Sequence, residues 1–156
     1  MTLTTLINTI KTVFEQYARS VYADDAAMVW NNQDVKYHSV AFDLRSSRDY
    51  EGNTYHTFRF YAGDLLNDGH SNRNSIYNHL YNVLSEGFDE LQDVDGIIEV
   101  QDNRTYQYAP VRMADVLAVA QVDVTFVVVS ETCDGRENQW ETDTLPEPET
   151  GDDTNP

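Results

Sequence analysis

The sequence predicts an α+β fold: an antiparallel or mixed β-sheet built on a long β-hairpin and packed by two α-helices. Three observations predict it. Apolar residues recur at spacings of three and four near the N-terminus and again from Asn74 to Leu91. Between and after these stretches, apolar and polar residues alternate with the period of a strand. At 156 residues the chain has the size of one domain that buries a core without staples.

The elements follow in order. Leu3, Leu6, Ile7, Ile10, Val13, Phe14, Tyr17, Ala18 and Val21 form one apolar face of an amphipathic helix, with Thr2 or Thr4 as its cap. "AMVW" (27–30) reads as a short apolar strand, and "NNQD" (31–34) as a turn. In "VKYHSVAFDL" (35–44), Val40, Phe42 and Leu44 share one face, so the sheet has one dry side. The polar "RSSRDYEGN" (45–53) reads as the hairpin loop, and "TYHTFRFYA" (54–62) as the return strand. The helix from Asn74 to Leu91 presents Ile76, Leu80, Val83, Leu84, Phe88 and Leu91, with Ser71, Asn72 or Asn74 available to cap it. "GIIEV" (96–100), "TYQYAPV" (105–111) and "DVLAVAQVDVTFVVV" (115–129) close the sheet; the β-branched density of the last makes it the clearest strand.

Residues 1–130 form the predicted domain, and composition changes after them. Residues 131–156 hold nine acidic residues against Arg136 alone, a net charge of −8, and three of the four prolines. Trp140 and Leu145 are the only large apolar side chains there, too few to offset chain entropy. This acidic C-terminal segment is expected to be disordered in isolation or to order on a neighbouring subunit, with Trp140 as the anchor.

The whole chain carries 10 basic and 27 acidic residues, a formal charge of −17. Such a charge repels phosphate backbones and anionic membranes, which argues against direct nucleic-acid or membrane binding. It suits a DNA mimic, or a protein that stays soluble until it meets a partner. Cys133 is the only cysteine, so an intramolecular disulfide is excluded, and its acidic neighbours Glu131 and Asp134 disfavour a thiolate nucleophile. No apolar run approaches the roughly 18 residues of a membrane span, and the N-terminus lacks the layout of a signal peptide. The chain reads as soluble and unprocessed.

Catalytic and metal signals are weak. In "DLLNDGHSNRNS" (64–75), Asp64, Asp68 and Gly69 match three places of a calcium loop, but Leu66 and Ser75 stand where a ligand and the closing carboxylate belong. His70 and His79 are nine residues apart and lack the short ligand pair of a zinc site. His38 and His56, on the two predicted hairpin arms near Asp43, suggest a small hydrolase only in outline, because no nucleophile accompanies them. The glycines are scattered singly, so no phosphate-cradling loop exists. No cofactor, metal or enzyme activity is expected. The tyrosines Tyr50, Tyr55, Tyr61, Tyr77, Tyr81, Tyr106 and Tyr108 crowd the middle of the chain, a composition that suits sheet faces and protein interfaces alike.

The element order, with "YHSVAFDLRSS" (37–47), "TYHTFRFYAGDLLNDGHSNRNSIYNHLYNVL" (54–84) and "YQYAPVRMADVLAVAQVDVTFVVVSETC" (106–133), resembles the tail-terminator family of tailed bacteriophages. More particularly, it is similar to tail-terminator-like or neck ring proteins of the crAss-like phages that infect Bacteroidetes. In the family the second stretch is an aromatic alternating strand, an acidic loop of the D-x-L-x-x-D kind and a polar-capped helix, and the end is similar in its β-branched closing strand. The chain departs from it at His38 and Ser39, where an aromatic-proline pair is expected, and in its acidic C-terminal segment. The resemblance implies a tail-terminator-like fold and a structural virion protein without catalysis. Such a protein forms a homo-oligomeric ring, a hexamer or dodecamer, between portal or connector and tail proteins. It implies assembly in the host cytoplasm and a place in the virion neck. It also makes "GDLLNDGHSNRNS" a structural corner, with the hairpin (Tyr50, Tyr55) and the loop (Asp64, Asp68, His70, Asn74) as candidate subunit interfaces. An acidic inhibitor that occupies a basic nucleic-acid-binding partner is the alternative.

Overall fold

A computed structural model describes residues 1–31, 35–101, 104–112 and 116–130. The elements are α1 (Leu3–Phe14), β1 (Ser20–Tyr22), α2 (Ala26–Trp30), β2 (Ser39–Tyr50), β3 (Asn53–Leu65), a 3₁₀ turn (Asp68–His70), α3 (Arg73–Gln92), β4 (Ile97–Val100), β5 (Gln107–Arg112) and β6 (Val116–Val129). This is an α+β fold with one mixed six-stranded sheet. Trp140, Cys133 and the acidic segment lie outside the described residues.

The sheet runs β1-β2-β3-β6. β1 joins β2 in parallel; the other pairings are antiparallel. β6 is the spine: β3 covers one of its edges from end to end, while β5 and β4 share the other. Side chains alternate across this sheet. Val40, Phe42, Phe58, Phe60, Ala62, Val122, Val124 and Phe126 point to the face that α1 and α3 cover, and all are buried. Phe60 stacks against Phe42 and meets Phe14 and Phe88 with ring centroids 4.8–5.4 Å apart. Gly87 lets α1 approach α3, since a Cβ there would overlap the Phe14 ring.

The opposite face is only half covered. α2 lies on it, with Trp30 over Gly63 and packed with Ala41, Leu117 and Val119. The Trp30 indole N–H donates to Ser39 Oγ (2.8 Å), satisfying two buried polar groups at once.

Four expectations need correction. The segment around "AMVW" is a helix, because Asp25 caps it by accepting from the N–H groups of Ala27 and Met28. The first helix stops at Phe14 instead of running to Val21. Beyond it, the Tyr17 hydroxyl donates to Glu90 (2.7 Å) and Arg19 N–H to the His38 carbonyl (3.0 Å), and these long-range bonds draw Ser20–Tyr22 into the sheet. The expected 45–53 loop is strand up to Tyr50, and the turn itself is only Glu51-Gly52, both at positive φ as a two-residue hairpin turn requires. Its polar residues belong to an edge strand with a bulge between Leu44 and Ser46.

The fourth correction concerns the histidines. His38 precedes β2 and packs edge-on against His79, with centroids 4.5 Å apart, while His56 lies opposite Ser47. His56 faces the core, its Nδ1 2.7 Å from Ser47 Oγ, whereas Asp43 pairs with Arg59 on the other face. The sheet therefore separates His56 from Asp43, and the histidine pair with its aspartate is never assembled.

Candidate interaction surface

The loop from Leu66 to Asn72 is the corner that joins β3 to α3. Asp64, expected in this loop, instead belongs to β3, where it lies opposite Ala118 of β6; its Oδ1 accepts only from the N–H of the next residue, Leu65, at 2.8 Å. The corner is clasped by two asparagines: Asn67 N–H donates to Asn72 Oδ1 (3.1 Å) and Asn72 N–H to Asn67 Oδ1 (3.3 Å). Asn72 therefore occupies the cap position of α3 without capping it through its side chain, and Asn74 is an exposed residue of the first turn. His70 is exposed at φ +58° after Gly69 at +78°. Asp68 falls in the 3₁₀ turn. No group of three His, Cys, Asp or Glu among the described residues is arranged to hold a metal.

The other expected patch lies at the far end of the sheet. Tyr50 is 59% exposed at the end of β2, and Tyr55 is half-buried under the Arg48 guanidinium, 4.9 Å from its ring centroid. The last described residues converge on the same end: Ser130 N–H donates to the Gly52 carbonyl (3.0 Å), and its hydroxyl meets Thr54 Oγ1 (2.8 Å). The two expected patches are thus separated by the length of β3, about 40 Å at the rise of an extended strand.

The structure adds three features. Along one flank, Tyr77 and Tyr81 of α3 face Tyr108 of β5 and Tyr106 just before it. The pairs Tyr77–Tyr108 and Tyr81–Tyr106 have centroids 5.1 and 4.9 Å apart. Tyr81 and Tyr108 stay exposed, and burial pushes the phenols of Tyr106 and Tyr108 above their ordinary range. The signal was present as i,i+4 spacing on a helix and i,i+2 on a strand, but the pairing is non-local.

On the other face, a groove of about 220 Å³ runs between α2 and β5. Trp30, Tyr61, Ala109, Val111 and Val119 line it, with Gln107 and Gln121 among its polar groups. Ala26 and Ala27 leave it open, and Met28 on the same short helix is 73% exposed.

Beyond the groove, a charged row crosses three strands: Asp43, Arg59 and Asp123 are register partners. Arg59 donates to both oxygens of Asp123 (2.6 and 2.8 Å), and Arg45 donates to Asp43 (2.9 Å). The hydrogen bond from Arg59 holds the Asp123 carboxyl below the usual carboxylate range, and the same bond raises Arg59.

Two stretches of free sheet edge are guarded. β2 beyond Ala41 carries the bulge and the charges of Asp43, Arg45, Arg48 and Asp49, while β5 carries Pro110, which offers no N–H to an added strand. Compared with known proteins, the sequence matches no protein-family model and no curated protein. No helix among the described residues is long and apolar enough to cross a membrane.

Proposed function

We propose that this protein is a non-enzymatic virion component that assembles into a closed homo-oligomeric ring, a hexamer or dodecamer, in the neck of a tailed phage. There it joins portal or connector proteins to the tail and completes the tail. The ring assembles in the host cytoplasm and then resides in the virion. A ring closes through heterologous contacts, so each subunit must present two unlike patches. The observation that carries the reading is the pair of unlike ends of the long sheet: the Tyr50 hairpin at one and the Asn67–Asn72 corner at the other. An acidic lumen repels DNA and lets it pass without sticking.

An inhibitor mimicking nucleic acid has less support, because Asp43 and Asp123 on the open sheet face are already paired with Arg45 and Arg59. Gold-labelled antibody against the chain, imaged on purified virions, tests the proposal. Label at the neck supports it; virions without label, from cells rich in the protein, reject it and favour the inhibitor.

A further inference from the structure

We infer that the Gln92 side chain is a stopper on the free edge of β4: it fills hydrogen-bonding positions at which β4 of a second copy would add, and holds that edge closed to self-pairing.

β4 is the last strand of the sheet path, and among the described residues no strand pairs with its outer edge. Unlike β2 and β5, it has neither a run of charges nor a proline there. Its sequence is Ile97-Ile98-Glu99-Val100, and Ile98 is 47% exposed. An apolar edge of this kind invites a strand from another chain. Backbone groups alternate in direction along a strand. Gln101 N–H donates to the Thr125 carbonyl of β6 (3.0 Å) and Glu99 lies opposite Val127, so the groups of Ile98 and Val100 turn outward.

Two of those outward groups are taken. The Val100 N–H donates to Gln92 Oε1 at 2.7 Å, and Gln92 Nε2 donates to the Ile98 carbonyl at 3.4 Å. One amide thus presents an acceptor and a donor, as the backbone of an adjacent strand would. The turn places it: α3 ends at Gln92, Ile97 N–H donates to the Val94 carbonyl (3.1 Å) and Gly96 sits at φ +92°, so β4 doubles back beside the last turn of α3.

Symmetry sets the occupant that Gln92 excludes. Antiparallel pairing about Glu99 places Ile98 of each copy opposite Val100 of the other. The Val100 N–H of each then reaches the Ile98 carbonyl of the other, the same two groups that Gln92 occupies. Each exposed Ile98 side chain lies beside the other copy's Val100. Glu99 works against the pair, because the two carboxylates face each other across the axis.

The test follows amide hydrogen exchange at Val100 in the full chain by NMR, dilute and concentrated. In the wild-type chain exchange should be slow at every concentration. Gln92→Ala removes the stopper; Gln92→Lys removes its acceptor while placing a cation where the C-terminus of α3 favours one, so a folded variant is at hand. In either, exchange should be about 5- to 10-fold faster when dilute, as loss of one hydrogen bond allows, and slow again on concentrating. Exchange at Val100 that is fast in the wild type, unchanged in the variants, or fast in them at every concentration overturns the inference.

A charge swap identifies the added strand. In the Gln92→Ala background, chains with Glu99 mixed with Glu99→Lys chains should pair about 5-fold more tightly than either alone, because opposite charges then face across the axis. A mixture that pairs no more tightly than both unmixed samples overturns β4 as the occupant.

Discussion

The two faces of the sheet, built from the same strands, have opposite fates. The face under α1 and α3 is a continuous aromatic and aliphatic core around Phe60. The other is shared among a small cluster under α2, an open groove and a charged row. Alternation along β3 and β6 makes this possible, since each residue step moves from core to surface. The lesson is that one face supplies stability and leaves the other free to carry contacts.

Substitutions can break that comparison. Phe60→Ala, fully buried among five phenylalanine rings, should cost about 3–5 kcal/mol in urea unfolding. Gly87→Ala should cost about 1–3 kcal/mol by forcing α1 from α3. Gly63→Ala, on the other face, places a Cβ 2.8 Å from the Trp30 ring. It should cost less than Gly87→Ala, because a five-residue helix at the surface shifts more readily than two packed helices, and it should change Trp30 fluorescence.

His56 sharpens the comparison through pH. Burial lowers its pKa below the ordinary value of 6.5, so below that pH the unfolded chain binds the proton more readily. Stability should be fully present above about pH 6.5 and fall as pH drops toward the lowered folded value. His56→Gln should flatten that part of the unfolding profile. On the charged row, Arg59→Ala should cost less than about 1 kcal/mol, because the pair with Asp123 is solvent-accessible. Asp123 has a depressed folded pKa, so its small contribution is present above the unfolded carboxylate range and lost as pH falls through the folded value.

Both the segment 131–156 and the rest of the chain are net negative, so self-association through an apolar anchor should strengthen with added salt. Weakening with salt would point to ion pairs instead.

Legibility in the sequence followed the length and regularity of each element. The periodic run from Ile76 to Leu91 and the alternation from Val122 to Val128 place α3 and β6 within a residue or two. α2 escapes because five residues carry too little period; the informative signal is the Asp25 cap before two alanines. Arg45–Tyr50 reads as loop because polar residues guard an edge strand, and polarity reports exposure before it reports conformation. The tyrosine pairs and the groove depend on which residues of β5 oppose β6, a register no local pattern encodes. Asp64 reads as a loop residue because it is acidic and next to Gly63, yet the β3–β6 pairing carries the strand through it.

Native mass spectrometry of the full chain over a wide concentration range tests the central claim most directly. The account predicts one closed assembly of six or twelve copies that grows no further with concentration. A monomer throughout, or an open ladder of sizes, would contradict it.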